Sequence, residues 1–204
     1  MKKILTGVVF VIILIGAWVM LSEAAVSDIS SGIVRLHIIA NSDSSDDQQL
    51  KLAVRDRVLD YVKQQNGVCE KIYITSHLEE ILSVCREEVK RQGYAYPVQA
   101  EVGNFYFPTK RYEQIMLPAG NYDAVRIVIG DGAGKNWWCV MYPPLCFTKE
   151  TKGRLSAEEM SKLADAMSSE NFEMIQTSEE EIELKPAFLL VEWWQEAKHA
   201  LRGE

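Results

Sequence analysis

Histidine is scarce in this chain, three in 204 residues, and no His-x-x-x-His pair or nucleophile elbow is present. The familiar hydrolase and zinc-peptidase signatures are therefore absent. None of the four cysteines forms a Cys-x-x-Cys pair, so no zinc-type spacing exists either. No basic stripe runs along the chain, and nucleic acid is not an expected partner. The formal net charge of −7 is local: between Glu150 and Glu183 there are ten acidic and three basic residues. The remaining body is close to neutral. With 48% hydrophobic and 25% charged residues, the composition is that of an ordinary globular protein with enough apolar material for a core.

Long uncharged runs are also missing, except at the N-terminus. Lys2 and Lys3 are followed by a charge-free segment from Ile4 to Leu21, just long enough to span a bilayer core of about 30 Å. Ser22 and Ala24 are small residues suited to the positions before a peptidase cut, so residues 1–25 read as a cleaved export signal or as an uncleaved anchor, with cleavage preferred. Either way the rest of the chain crosses the membrane. Four cysteines in an exported chain suggest disulfides, with Cys139–Cys146 and Cys69–Cys85 preferred because each closes a local loop. Buried free thiols are the alternative.

Residues Val26 to Gly32 read as a short tether. Ile33 to Ala40 is a strand buried on both faces, and Asn41 to Asp47 turns it into a helix. Ser44 or Ser45 caps that helix, which carries Leu50, Val54, Val58, Tyr61 and Val62 at helical spacing. A second helix, opened by a capping box at Ser76 and Glu79, puts Leu78, Ile81, Leu82, Cys85 and Val89 on one face. Beyond Gly93 the period changes to two. Strands are expected near Val98–Tyr106, Tyr112–Leu117 and Tyr122–Ile129. The tail offers a weak helix near Ser156–Met167, an acidic linker at Glu179–Glu183 and a final amphipathic helix after Pro186. The fold class expected is α+β: one compact domain over residues 26–147, with the two helices packed on a mixed or antiparallel sheet. Residues 148–204 form an acidic linker and terminal helix.

Asn136 to Phe147 concentrates unusual chemistry, with two of the five tryptophans, two of the four cysteines and two of the six prolines. The preceding Gly130–Gly134 segment resembles a phosphate loop, but β-like residues follow it rather than a helix, so a hairpin turn joining Tyr122–Ile129 to this stretch is the better reading. Three readings compete for the polar residues. A hydrolase or metal-dependent enzyme would use His37 with Asn41 and Asp43, or with Asp56. A catalytic thiol at Cys139 or Cys146 would need a lowered pKa. A recognition module would use Trp137 and Trp138, which point to opposite faces of a strand, so that one can be core while the other is displayed; a two-sided core under the helices would produce the same pattern.

Taken together, Arg35-Leu-His-Ile-Ile-Ala-Asn-Ser-Asp-Ser44 with Asp47 to Asp56, Phe107-Pro-Thr-Lys110, Pro118 to Gly130, and above all Asn136 to Phe147 resemble the stage II sporulation protein R family. The resemblance implies a protein made in the forespore and exported into the space between forespore and mother cell, possessing no catalytic residues, cofactor or small-molecule substrate. It implies a partner, the membrane-embedded aspartic peptidase that processes the sigma-E precursor. On this reading Arg35, His37, Asn41, Asp43, Lys110, Trp137, Trp138, Pro143 and Pro144 form the partner-binding surface, and the N-terminal segment makes the membrane contact.

Overall fold

A computed structural model describes residues 2–64, 74, 76–112, 114–143, 155–177 and 186–202. Its centre is β1 (Val34–Ile39), whose side chains are buried on both faces. The sheet order is β2 (Val98–Phe107), β5 (Gly120–Ile129), β1, β6 (Asn136–Tyr142). β1 runs parallel to β5 and antiparallel to β6, while β2 and β5 are antiparallel. The sheet is thus mixed, and the fold is α+β. A two-stranded ribbon of β3 (Lys110–Arg111) and β4 (Met116–Leu117) lies beside it.

The expected hairpin between β5 and β6 does not form. β1 sits between them, because a strand buried on both faces is most completely satisfied in the sheet interior, where both of its edges are hydrogen-bonded. The glycine turn instead carries the chain over the end of β1 to reach its far edge.

One face of the sheet is covered by α2 (Ser45–Gln64) and α3 (Leu78–Arg91). Val34, Leu36 and Ile38 of β1 pack there with Leu50, Val54, Val58, Ile81, Cys85 and Val89. Ser44 caps α2, its Oγ accepting from the Asp47 amide at 3.2 Å. The capping box expected for α3 is absent: its N-cap is His77, with no side-chain cap bond. Cys85 is a free, buried thiol, which overturns the Cys69–Cys85 pairing. Its position on the apolar stripe decides the outcome, since burial pushes the thiol pKa up to about 12 and leaves it inert.

The other face is covered by segments the sequence reading treated as peripheral. Helix α1 runs unbroken from Lys2 to Ser31, so the expected tether at Val26–Gly32 is mostly helix. Val26 and Ile29 of α1 are buried, as is Ile33 beyond it. They continue the spacing of one helix face, and the tether is thereby core. Leu155, Leu163 and Ile175 join Ile29, Ile33, Phe107, Tyr122 and Val140 in this second cluster. Leu163 lies on α4 (Ala157–Asp165), which opens with the expected capping box of Ser156 and Glu159. Ile175 ends α5 (Ser169–Ile175). Asp28 of α1 accepts from the Ser168 amide at 2.9 Å and from Asn171 Nδ2 at 2.6 Å, tying α1 to the start of α5. The last helix, α6 (Pro186–Arg202), packs against α1: Glu23 accepts from Trp194 Nε1 at 2.6 Å and from Lys198 Nζ at 2.8 Å. The expected linker at Glu179–Glu183 lies outside the described residues.

Candidate functional site

The turn between β1 and α2 and the glycine turn after β5 are locked together by polar groups. Asn41 donates through Nδ2 to Asp47 Oδ2 at 2.9 Å and accepts through Oδ1 from the Asp131 amide at 3.0 Å. Asp43 Oδ1 accepts from the Lys135 amide at 2.7 Å. Backbone bonds from Ala133 to the Asn41 carbonyl (3.1 Å) and from Gly134 to the Ala40 carbonyl (2.9 Å) complete the clamp. Gly130 and Gly132 have φ of 61° and 62°, the left-handed region where a side chain is strained. Lys51, buried on α2, donates to Gln48 Oε1 at 2.6 Å and to the Lys135 carbonyl at 2.8 Å. Hydrogen bonds from Ser42 and Asn41 hold the Asp47 carboxyl below its usual pKa. These groups satisfy one another, so the turn is a rigid structural joint.

Below it, the odd-numbered side chains of β1 enter an aromatic cluster on the second face. His37 stacks on Trp138 with ring centres 3.7 Å apart, and Trp138 meets Phe107 edge-on at 4.7 Å. Arg35 is fully buried, its guanidinium 4.4 Å from the centre of the Phe107 ring and 4.9 Å from that of Tyr122. Cation–π attraction replaces part of the lost hydration there. On the opposite face, Arg55 of α2 lies 4.3 Å from the centre of Trp137. The two tryptophans do point to opposite faces, but both are half-buried under neighbours. Each packs against the core cluster on its own face, the two-sided arrangement that was the alternative to one displayed ring.

Burial lowers the His37 pKa from 6.5 to about 4, against a raising hydrogen bond with Asn136 and aided by the positive charge of Arg126. The unfolded chain takes up its proton near pH 6.5 while the folded one does so only near pH 4. The associated stability is therefore complete above pH 6.5 and lost as pH falls toward 4. We expect His37 to contribute on the order of 3 kcal/mol of acid destabilisation across that window. A His37→Phe variant should flatten the pH dependence of its unfolding midpoint between pH 4 and 6.5; an unchanged slope would contradict the assignment.

The residues proposed from sequence are therefore dispersed. Arg35, His37 and Pro143 are buried and cannot serve as surface contacts in this conformation. His37 points into the aromatic cluster while Asn41 and Asp43 bind the glycine turn, so the structure does not assemble a hydrolytic site from the three. Among the described residues no group of three His, Cys, Asp or Glu side chains is placed to hold a metal ion. Asp43 is exposed, and Asn41, Lys110, Trp137 and Trp138 are half-buried. Pro144 and Cys146 lie outside the described residues. Cys139 is disulfide-bonded, to a partner that also lies outside them. Sequence reasoning missed Arg55, Phe107 and Tyr122, which pair with the predicted residues across distant parts of the chain. For Phe107 the signals were its place before a proline at a strand end and its membership of the family-like Phe107-Pro-Thr-Lys110 segment.

What the fold and this arrangement define is an α+β domain carried on an apolar N-terminal helix, with its polar groups used to fix turns and, among the described residues, an aromatic end strand at β6. A family model described as Stage II sporulation protein R (spore_II_R) matches residues 30–152. Stage II sporulation protein R of Bacillus subtilis (strain 168) is 35% identical over 176 residues, covering 78% of this chain and 79% of the relative. No solved structure matches. The chain belongs to the stage II sporulation protein R family, and its role is in sporulation.

Proposed function

We propose that this protein is an intercompartmental signal: delivered across the forespore membrane, it activates the membrane-embedded aspartic peptidase that processes the sigma-E precursor. Family membership over residues 30–152 is the observation that carries this reading. Helix α1 supports it, since Lys3–Ser31 is apolar and long enough to cross a membrane. On this reading the protein acts by recognition, without a cofactor or small-molecule substrate.

The contact surface proposed is the outer edge of β6 with the exposed parts of Trp137 and Trp138, flanked by Asp43. β6 is an end strand of the sheet among the described residues, and an uncovered strand edge can accept an extended segment of a partner. Half-buried aromatic rings at such an edge are rigid and lose little entropy on binding. Trp137→Ala and Trp138→Ala variants that keep a native circular dichroism spectrum are expected to lower precursor cleavage at least about tenfold, the effect of removing one interface anchor. Cleavage at the wild-type level by both folded variants would remove this surface from consideration.

A further inference from the structure

Helix α6 carries an apolar face that the fold leaves uncovered. Phe188, Val191 and Gln195 are buried against the domain. Leu189, Leu190, Trp193 and Leu201 are 45%, 49%, 60% and 84% exposed. At 3.6 residues per turn these four, with Ala197 and Ala200 between them, fall within an arc of about 120°. Glu192, Glu196 and His199 lie outside that arc. Four large apolar side chains turned to water along one helix face require an occupant.

The neighbouring helix indicates which. Trp18 of α1 stacks on Trp193 with ring centres 5.6 Å apart and meets Trp194 edge-on at 6.1 Å. The exposed arc of α6 therefore meets α1 at Trp193, next to the bare apolar part of α1, where Ile4, Leu5 and the large side chains from Val8 to Ile15 are exposed. Further along α1 toward β1, Glu23 gathers Trp194, Gln195 and Lys198, so the polar contacts of the junction lie on the domain side of Trp18. This is the order of a bilayer boundary: apolar helix, then tryptophans, then charges.

We infer that α6 lies in the membrane interface beside α1, with its Leu189–Leu190–Trp193–Leu201 face in the acyl boundary of the same bilayer that α1 spans. The inference rests on α1 remaining attached as an anchor. Its geometry is that of an interfacial amphipathic helix. The α6 segment carries no cluster of basic residues, so the attraction is to apolar chains rather than to anionic headgroups.

The test uses the full chain in phosphatidylcholine vesicles, with an environment-sensitive fluorophore on Leu190→Cys, Leu189→Cys or Glu192→Cys. Buried Cys85 is inert and Cys139 is bonded, and the unsubstituted chain supplies the labelling background. A nitroxide placed high on the lipid acyl chain is expected to quench labels at 189 and 190 about threefold and to leave the label at 192, turned away from that arc, nearly unchanged, as an interfacial helix requires. Equal quenching at all three positions overturns the inference, and so does protection from water at 189 and 190 without lipid quenching, which would identify a second copy as the occupant. Release of the chain by alkaline carbonate overturns it at its premise, and separates a failed anchor from a failed interfacial helix in an anchored protein.

Discussion

Replacing Gly134 by valine is expected to cost about 4 kcal/mol or more, enough to unfold a domain of ordinary stability. A Cβ at this position would overlap the Ser42 carbonyl oxygen and come within 3.0 Å of Ala40 Cβ. Both obstacles belong to the end of β1 and the turn after it, and neither is a flexible side-chain tip that can swing aside. Relief requires the glycine turn to lift away, breaking the 2.9 Å bond from Gly134 to Ala40 and the adjoining 2.7 Å bond from Lys135 to Asp43. β6 would then lose its register on β1. Gly93→Ala is the appropriate comparison, because Gly93 also has positive φ, 87°, but open space around it. It should cost only about 1 kcal/mol. Urea unfolding of the two variants checks the contrast, and similar midpoints would show that the glycine turn is not clamped.

Introducing a charge at Ile29 should be of similar size. Ile29 is fully buried on α1 among Ile33, Phe107, Leu163 and Ile175, so Ile29→Asp places a carboxylate in an apolar layer assembled from both ends of the chain. The expected loss is about 4 kcal/mol or more, with Ile29→Val costing about 1 kcal/mol. Ser27→Asp, on the exposed side of the same helix, should be nearly neutral. Unfolding midpoints of the three variants in detergent distinguish a helix that is domain core from one that merely delivers the domain. Equal midpoints for Ile29→Asp and Ser27→Asp would refute the packing.

Much of the first layer was legible from local pattern. The apolar run of β1, the spacing of Leu50, Val54 and Val58 on α2, and the stripe through Cys85 on α3 each report burial without reference to anything distant. Cys85 illustrates two signals in conflict: an even cysteine count suggested pairing, the apolar stripe suggested a core thiol, and the stripe won. The second layer was hidden. Leu155, Leu163 and Ile175 are spread through an acidic segment whose average polarity masks them. The place of β6 depended on β1, a hundred residues earlier in sequence, so adjacency to β5 misled. The candidate surface suffered similarly: Arg35 and His37 carry polar side chains on a strand, and only their aromatic neighbours reveal that they are buried.

Between the end of α1 at Ser31 and the start of β1 at Val34 stand only Gly32 and Ile33, and Gly32 lies hard against the Ala166 carbonyl. There is no swivel at this joint. With α1 in a bilayer, the domain is therefore held at a fixed height and tilt relative to α1, and each residue inserted into α1 below Trp18 would raise it by about 1.5 Å along the helix axis. On the proposed reading, a molecule held in this way would meet its target by lateral diffusion in two dimensions. It can engage only what presents the matching face at the same level above the membrane.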